Sequence, residues 1–69
     1  MHTLYIEKNL HQQSICEKFL TSVTHNHPEL KLIYSCEQST DLSFIFEINF
    51  SLDHPALADE LVKKLYSIN

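Results

Sequence analysis

The sequence predicts a small α+β domain of order strand, helix, strand, strand, helix, with a three-stranded mixed sheet carrying two helices on one face. Three observations lead there. Leu42, Phe44, Phe46, Ile48, Phe50 and Leu52 fall at every second position, and alternate side chains of a strand share a face, so the run reads as one long half-buried strand. Ile15, Cys16, Phe19, Leu20 and Val23 are spaced by three and four, as are Leu57, Leu61 and Leu65 with Val62 and Tyr66. That is the stripe of an amphipathic helix, twice. Two shorter alternating segments, residues 3–7 and 30–36, supply the other strands.

The first strand sets Leu4 and Ile6 on one face and Thr3, Tyr5 and Glu7 on the other. Asn9 followed by Gln12 spells a capping box, in which each side chain satisfies a backbone donor of the other's turn. The first helix then runs to Asn26, placed to take a left-handed cap, and Pro28 blocks continuation. In the second strand Leu30, Leu32, Tyr34 and Cys36 alternate with Lys31, Ile33 and Ser35. Residues 37–41, Glu-Gln-Ser-Thr-Asp, form a polar connection of hairpin-loop length. After the third strand, Asp53 precedes His54 and Pro55, and proline is tolerated in the first turn of a helix. The last helix pairs Asp59 with Lys63 and Glu60 with Lys64, acid first at i,i+4, each worth about 0.2–0.5 kcal/mol.

A crossover through the first helix makes strands one and two parallel, and the hairpin makes strands two and three antiparallel. The central lane should hold the heaviest apolar load, so the expected order is 1-3-2. Both helices then cover the face formed by Leu4, Ile6, Leu32, Tyr34, Phe44, Phe46 and Ile48. This architecture resembles a ferredoxin-like fold lacking its fourth strand. In element order and length it is also similar to the small bacterial DNA-damage-inducible protein I family. The acidic C-terminal helix of that family is not reproduced, because the last helix here balances its acids with lysines.

Composition excludes several classes of function. Residues 1–69 fit one compact domain, and a chain of this size buries only about 60% of its unfolded surface. A hydrophobic share of 43% is enough for a folded core. No apolar run approaches the roughly 18 residues of a membrane span, and the N-terminus lacks the basic and apolar regions of a signal peptide. A cytoplasmic protein is expected. Glycine does not occur, which rules out the usual phosphate-binding and dinucleotide loops and the EF-hand. Arginine does not occur either, and five lysines face nine acids for a net charge of −4. Direct nucleic-acid binding needs clustered positive charge, and Lys63-Lys64 is the only adjacent pair. No membrane, small-molecule substrate or cofactor is expected.

Two cysteines and five histidines are the residues that could carry metal or nucleophile chemistry. Zinc accepts two thiolates and two imidazoles, and Cys16, Cys36, His25 and His27 supply such a set without Cys-x-x-Cys or His-x3-His spacing. The cysteines are expected to be small buried apolar residues, with a Cys16–Cys36 bridge as the alternative. His2, His11 and His54 read as surface or capping positions. Cys16 with His25 or His27 is the only formal nucleophile–base pairing, and its place on an apolar stripe favours packing over catalysis.

What is left is surface. The sheet face turned from the helices should show Tyr5, Ile33 and Ile45 among Thr3, Lys31, Ser43 and Glu47, with Glu7 and Glu47 as partners for a basic patch. These residues are the expected contact site of a small acidic, non-enzymatic interaction module that blocks a surface of another protein. So small a chain without glycine or arginine suits a phage or mobile-element inhibitor. Two alternatives stand beside it: a homodimer pairing through its edge strand, and a cysteine–histidine metal protein.

Overall fold

The computed structural model describes residues 1–68. Strand β1 (His2–Asn9) leads directly into helix α1 (Leu10–Asn26), a single 3-10 turn follows at Pro28–Leu30, and β2 (Ile33–Thr40) and β3 (Ser43–Phe50) form a hairpin before helix α2 (Pro55–Ser67). The sheet order is β1-β3-β2, as the apolar load of β3 requires. Both neighbouring pairs are antiparallel. The expected mixed sheet is therefore antiparallel throughout, because β3 separates the two strands that run parallel. The order is compatible with a ferredoxin-like sheet without its fourth strand.

One face of the sheet packs against the helices. Ile6, Phe46, Ile48 and Phe50 meet Cys16 and Leu20 of α1 and Ala58, Leu61 and Leu65 of α2, with Leu30 and Leu32 closing the bottom of the core. Burying each large side chain contributes about 1.5–3 kcal/mol. The entry to α1 is the capping box expected from the sequence: the Gln12 N–H donates to Asn9 Oδ1 at 3.0 Å, and the Asn9 N–H donates to Gln12 Oε1 at 3.1 Å.

Several boundaries move. Leu42 and Leu52 extend the alternation but not the strand: Leu42 sits in the two-residue turn and Leu52 in the bend after β3, both exposed. Hairpin pairing continues through residues expected in a loop, reaching Thr40 past a register shift after Gln38. The left-handed residue is not Asn26 but Lys31, at φ 51° and ψ 43°, and it caps the 3-10 turn. Pro28 starts that turn, which lowers Leu30 into the core as a plug rather than a strand residue. Lys31 thus stands ahead of β2 instead of within the open face. Ile15 and Tyr66, assigned to helical stripes, are exposed.

Candidate interaction surface on the open sheet face

Strand pairing orders the uncovered face into rows. Thr3, Asn49 and Ile33 lie side by side across the sheet, then Tyr5, Glu47 and Ser35, then Glu7, Ile45 and Glu37. Cross-strand neighbours stand about 4.5–5.5 Å apart at Cβ, so each row is a set of touching side chains. Ile45 is thus flanked on both sides by a carboxylate. Of the expected contact residues, Tyr5 is diagonal to Ile45 and both stay exposed, at 64% and 40%. Ile33 is on the same face at 65% exposure, two rows from Ile45 with Ser35 and Glu47 between them. The three apolar groups share a face without forming one cluster.

Hydrogen bonds fix the polar members. The Tyr5 hydroxyl donates to Glu47 Oε1 at 2.8 Å. That bond to a carboxylate, and then the carboxylate's charge, push the Tyr5 phenol above its ordinary pKa. Thr3 Oγ1 donates to Asn49 Oδ1, and Ser39 Oγ donates to Glu7 Oε2 at 3.3 Å. A shallow depression bordered by Tyr5, Ser35, Glu37, Ser39, Ile45 and Glu47 occupies the middle of the face. Glu37 and Glu47 are its charges, Glu7 stands on the same face across from Ile45, and no strand residue of this face is a lysine. Glu37 was missed from sequence because residues 37–41 read as a loop. The signal was there: Ile33, Ser35 and Glu37 continue one parity.

The remaining candidates land elsewhere. Cys16 and Cys36 are free thiols, the first fully buried and the second half-buried. Burial, ahead of every charge nearby, pushes the Cys16 thiol up, and burial followed by Glu17 does the same for Cys36. A raised thiol pKa disfavours the thiolate that metal binding and nucleophilic attack require. His25 lies exposed near the end of α1. His27 lies beyond it, its Nδ1 2.9 Å from Glu29 Oε1. That contact, first among the causes, holds the Glu29 carboxyl below its ordinary pKa. His2 meets the Phe50 ring edge-on at a centroid distance of 5.3 Å. Among the described residues no group of three or more histidine, cysteine or acidic side chains is placed to hold a metal ion.

One functional-looking residue had no sequence signal. Lys8 belongs to the helix-covered face and is only 7% exposed. Its Nζ donates to the Ile68 carbonyl at 3.0 Å, where Gln12 Nε2 also donates at 3.4 Å. A lysine with its stem laid along apolar surface thus brings its charge to the C-terminal end of α2, the negative end of the helix dipole. It is a structural clamp.

Comparison with known proteins adds no relative: no family model, no curated protein and no solved structure matches the chain. The similarity in element order to the DNA-damage-inducible protein I family therefore has no sequence match behind it. No helix of the described residues is long and apolar enough to cross a membrane.

Proposed function

We propose that this protein is a small, non-enzymatic interaction module that works in the cytoplasm by laying its open sheet face on a basic surface of another protein and blocking it. The observation that carries the reading is the third row of that face: an exposed isoleucine set between two carboxylates, with a third carboxylate, Glu47, two residues along the same strand. Charge at that density attracts a lysine- or arginine-bearing partner and steers its approach. Ile45 and Tyr5 supply the apolar contact that a purely charged patch lacks, and the Tyr5–Glu47 bond holds two of the groups in place before any partner arrives. Arrangement before binding lowers the entropy lost on docking.

The test is a titration followed by backbone amide NMR, with a peptide of alternating lysine and leucine as probe. Shifts should concentrate on Tyr5, Glu7, Ser35, Glu37, Ile45 and Glu47. Added salt should weaken them, because exposed charges are screened over about 10 Å at 0.1 M. A folded variant carrying Glu7→Lys, Glu37→Lys and Glu47→Lys should lose the response. Shifts confined to the helices, or an equal response to an acidic peptide, overturn the proposal.

A further inference from the structure

The backbone of β1 is half unused. In an antiparallel pair, residues alternate between those that exchange hydrogen bonds with the neighbour and those whose N–H and C=O point away. The Leu10 N–H donates to Leu42 O at 2.8 Å, in continuation of the β1–β3 register. Leu4, Ile6 and Lys8 therefore bond to β3, and Thr3, Tyr5 and Glu7 turn their backbone groups outward. Asn9 agrees with this parity, because its N–H goes to the Gln12 side chain rather than to β3. Beside the same edge, Phe50, Leu52, Pro55, Ala58 and Val62, with His2 and Asp59 among them, line a mostly apolar groove between the sheet and α2. An added strand would thus find hydrogen-bond partners on its flank and an apolar floor beneath.

We propose that the occupant is β1 of a second copy of this chain, antiparallel, with a two-fold axis through Tyr5. The register is what selects a second copy. With Tyr5 on the axis its N–H and C=O bond to those of the partner's Tyr5. Thr3 then faces the partner's Glu7, a hydroxyl against a carboxylate, and Leu4 faces the partner's Ile6 on the helix side. The ladder runs from residue 2 to residue 8, almost the whole strand. Its outermost pair sets His2 beside the partner's Lys8, at the end of the ladder. Neighbouring registers are worse. An axis at Glu7 opposes two carboxylates, one at Ile6 sets Leu4 against lysine, and one at Leu4 shortens the ladder to residues 2–6. Like charges directly opposite, or apolar groups against charged ones, destabilise a strand pair. The product is a six-stranded sheet with all four helices on one side and the two acidic faces joined into one. A closed two-fold pairing also covers the β1 edge, so that only β2 is left at either end of the sheet for further strand addition.

The experiment is sedimentation of the whole chain without any other partner, over a dilution of about a hundredfold, a range that spans most of a binding curve. The wild type should pass from twice the single-chain mass to the single-chain mass. Tyr5→Pro should stay single throughout while keeping its thermal melt, since the Tyr5 N–H takes no part in the β1–β3 ladder and proline is tolerated at an edge. Should that variant fail to fold, cross-linking decides in its place. In a Cys36→Ser background and with oxidised glutathione as the electron acceptor, Tyr5→Cys should form a disulfide-linked dimer with itself, and Thr3→Cys should do so only when mixed with Glu7→Cys. The Glu37→Lys, Glu47→Lys variant should dimerise as the wild type does, which separates this proposal from the docking reading. A single-chain mass at every concentration, a dimer indifferent to Tyr5→Pro, or cross-links in another register overturns it.

Discussion

Ile45 and Phe46 are consecutive residues of one strand, yet they answer to different demands. Phe46 is completely buried against both helices, whereas Ile45 stands in water between Glu7 and Glu37. Everything on the Phe46 side is constrained by packing density, since a close-packed interior registers the loss of one methylene. Nothing inside the molecule constrains the Ile45 side to be acidic. The covered face thus explains the fold and leaves the open face unexplained, which is why the open face carries the functional reading.

The sharpest test of that contrast exchanges the two neighbours in turn. Phe46→Ala should cost about 3–5 kcal/mol in urea unfolding, a large fraction of the 5–15 kcal/mol available to an ordinary domain. Ile45→Ala should stay within about 0.5 kcal/mol, as surface substitutions do. Comparable losses at both positions would mean that the open face is covered in solution, and the docking argument would fall with it.

Next in size is the polar exception on the covered side. Lys8→Met keeps the packed stem and removes the charge at the end of α2, so its cost should be about 1–2 kcal/mol, the upper range for a partly buried cation at a helix C-terminus. Glu37→Gln, which removes a charge from the open face, should lie within about 0.5 kcal/mol of wild type in the same measurement. A neutral Lys8→Met would show that the bond to the Ile68 carbonyl contributes nothing beyond what water supplies.

The same contrast explains what could be read without coordinates. The central place of β3 was legible because a two-residue period admits no other regular structure, and the Asn9–Gln12 capping box was legible because its chemistry is local. Failures occur where a side chain's role depends on something distant in sequence. Leu42 and Leu52 keep the period but sit beyond the last paired residues, and pairing is a property of two strands. Leu30 leaves the strand because Pro28 and left-handed Lys31 build a turn, and in a chain without glycine no residue marked the position of positive φ. Lys8 has no signal in the sequence, because its role exists only once the end of α2 is brought to it. On the open face Tyr5, Glu7, Ile33, Ile45 and Glu47 followed from parity alone, and Glu37 was lost only through a misplaced hairpin end.

The smallest effect concerns whether the open face is ordered before it meets a partner. Tyr5 owes its raised pKa first to donating a hydrogen bond to Glu47 and then to that carboxylate's charge. A group whose folded pKa lies above its unfolded value contributes stability that is full below the unfolded pKa. That contribution is lost as pH rises through the folded pKa, so the Tyr5–Glu47 bond holds at neutral pH and fails in alkali. Tyrosine absorbance followed through an alkaline titration, with Tyr5→Phe to isolate the Tyr5 signal, reads this directly. Glu47→Gln, which leaves an acceptor but no charge, should bring the Tyr5 titration part of the way down. Glu47→Ala should bring it further, because neither the acceptor nor the charge remains. Titrations identical in all three proteins would show that the two side chains move independently in water. The face would still be acidic, but a partner would then have to order it on arrival, and the entropic advantage assigned to Tyr5 and Glu47 would be withdrawn.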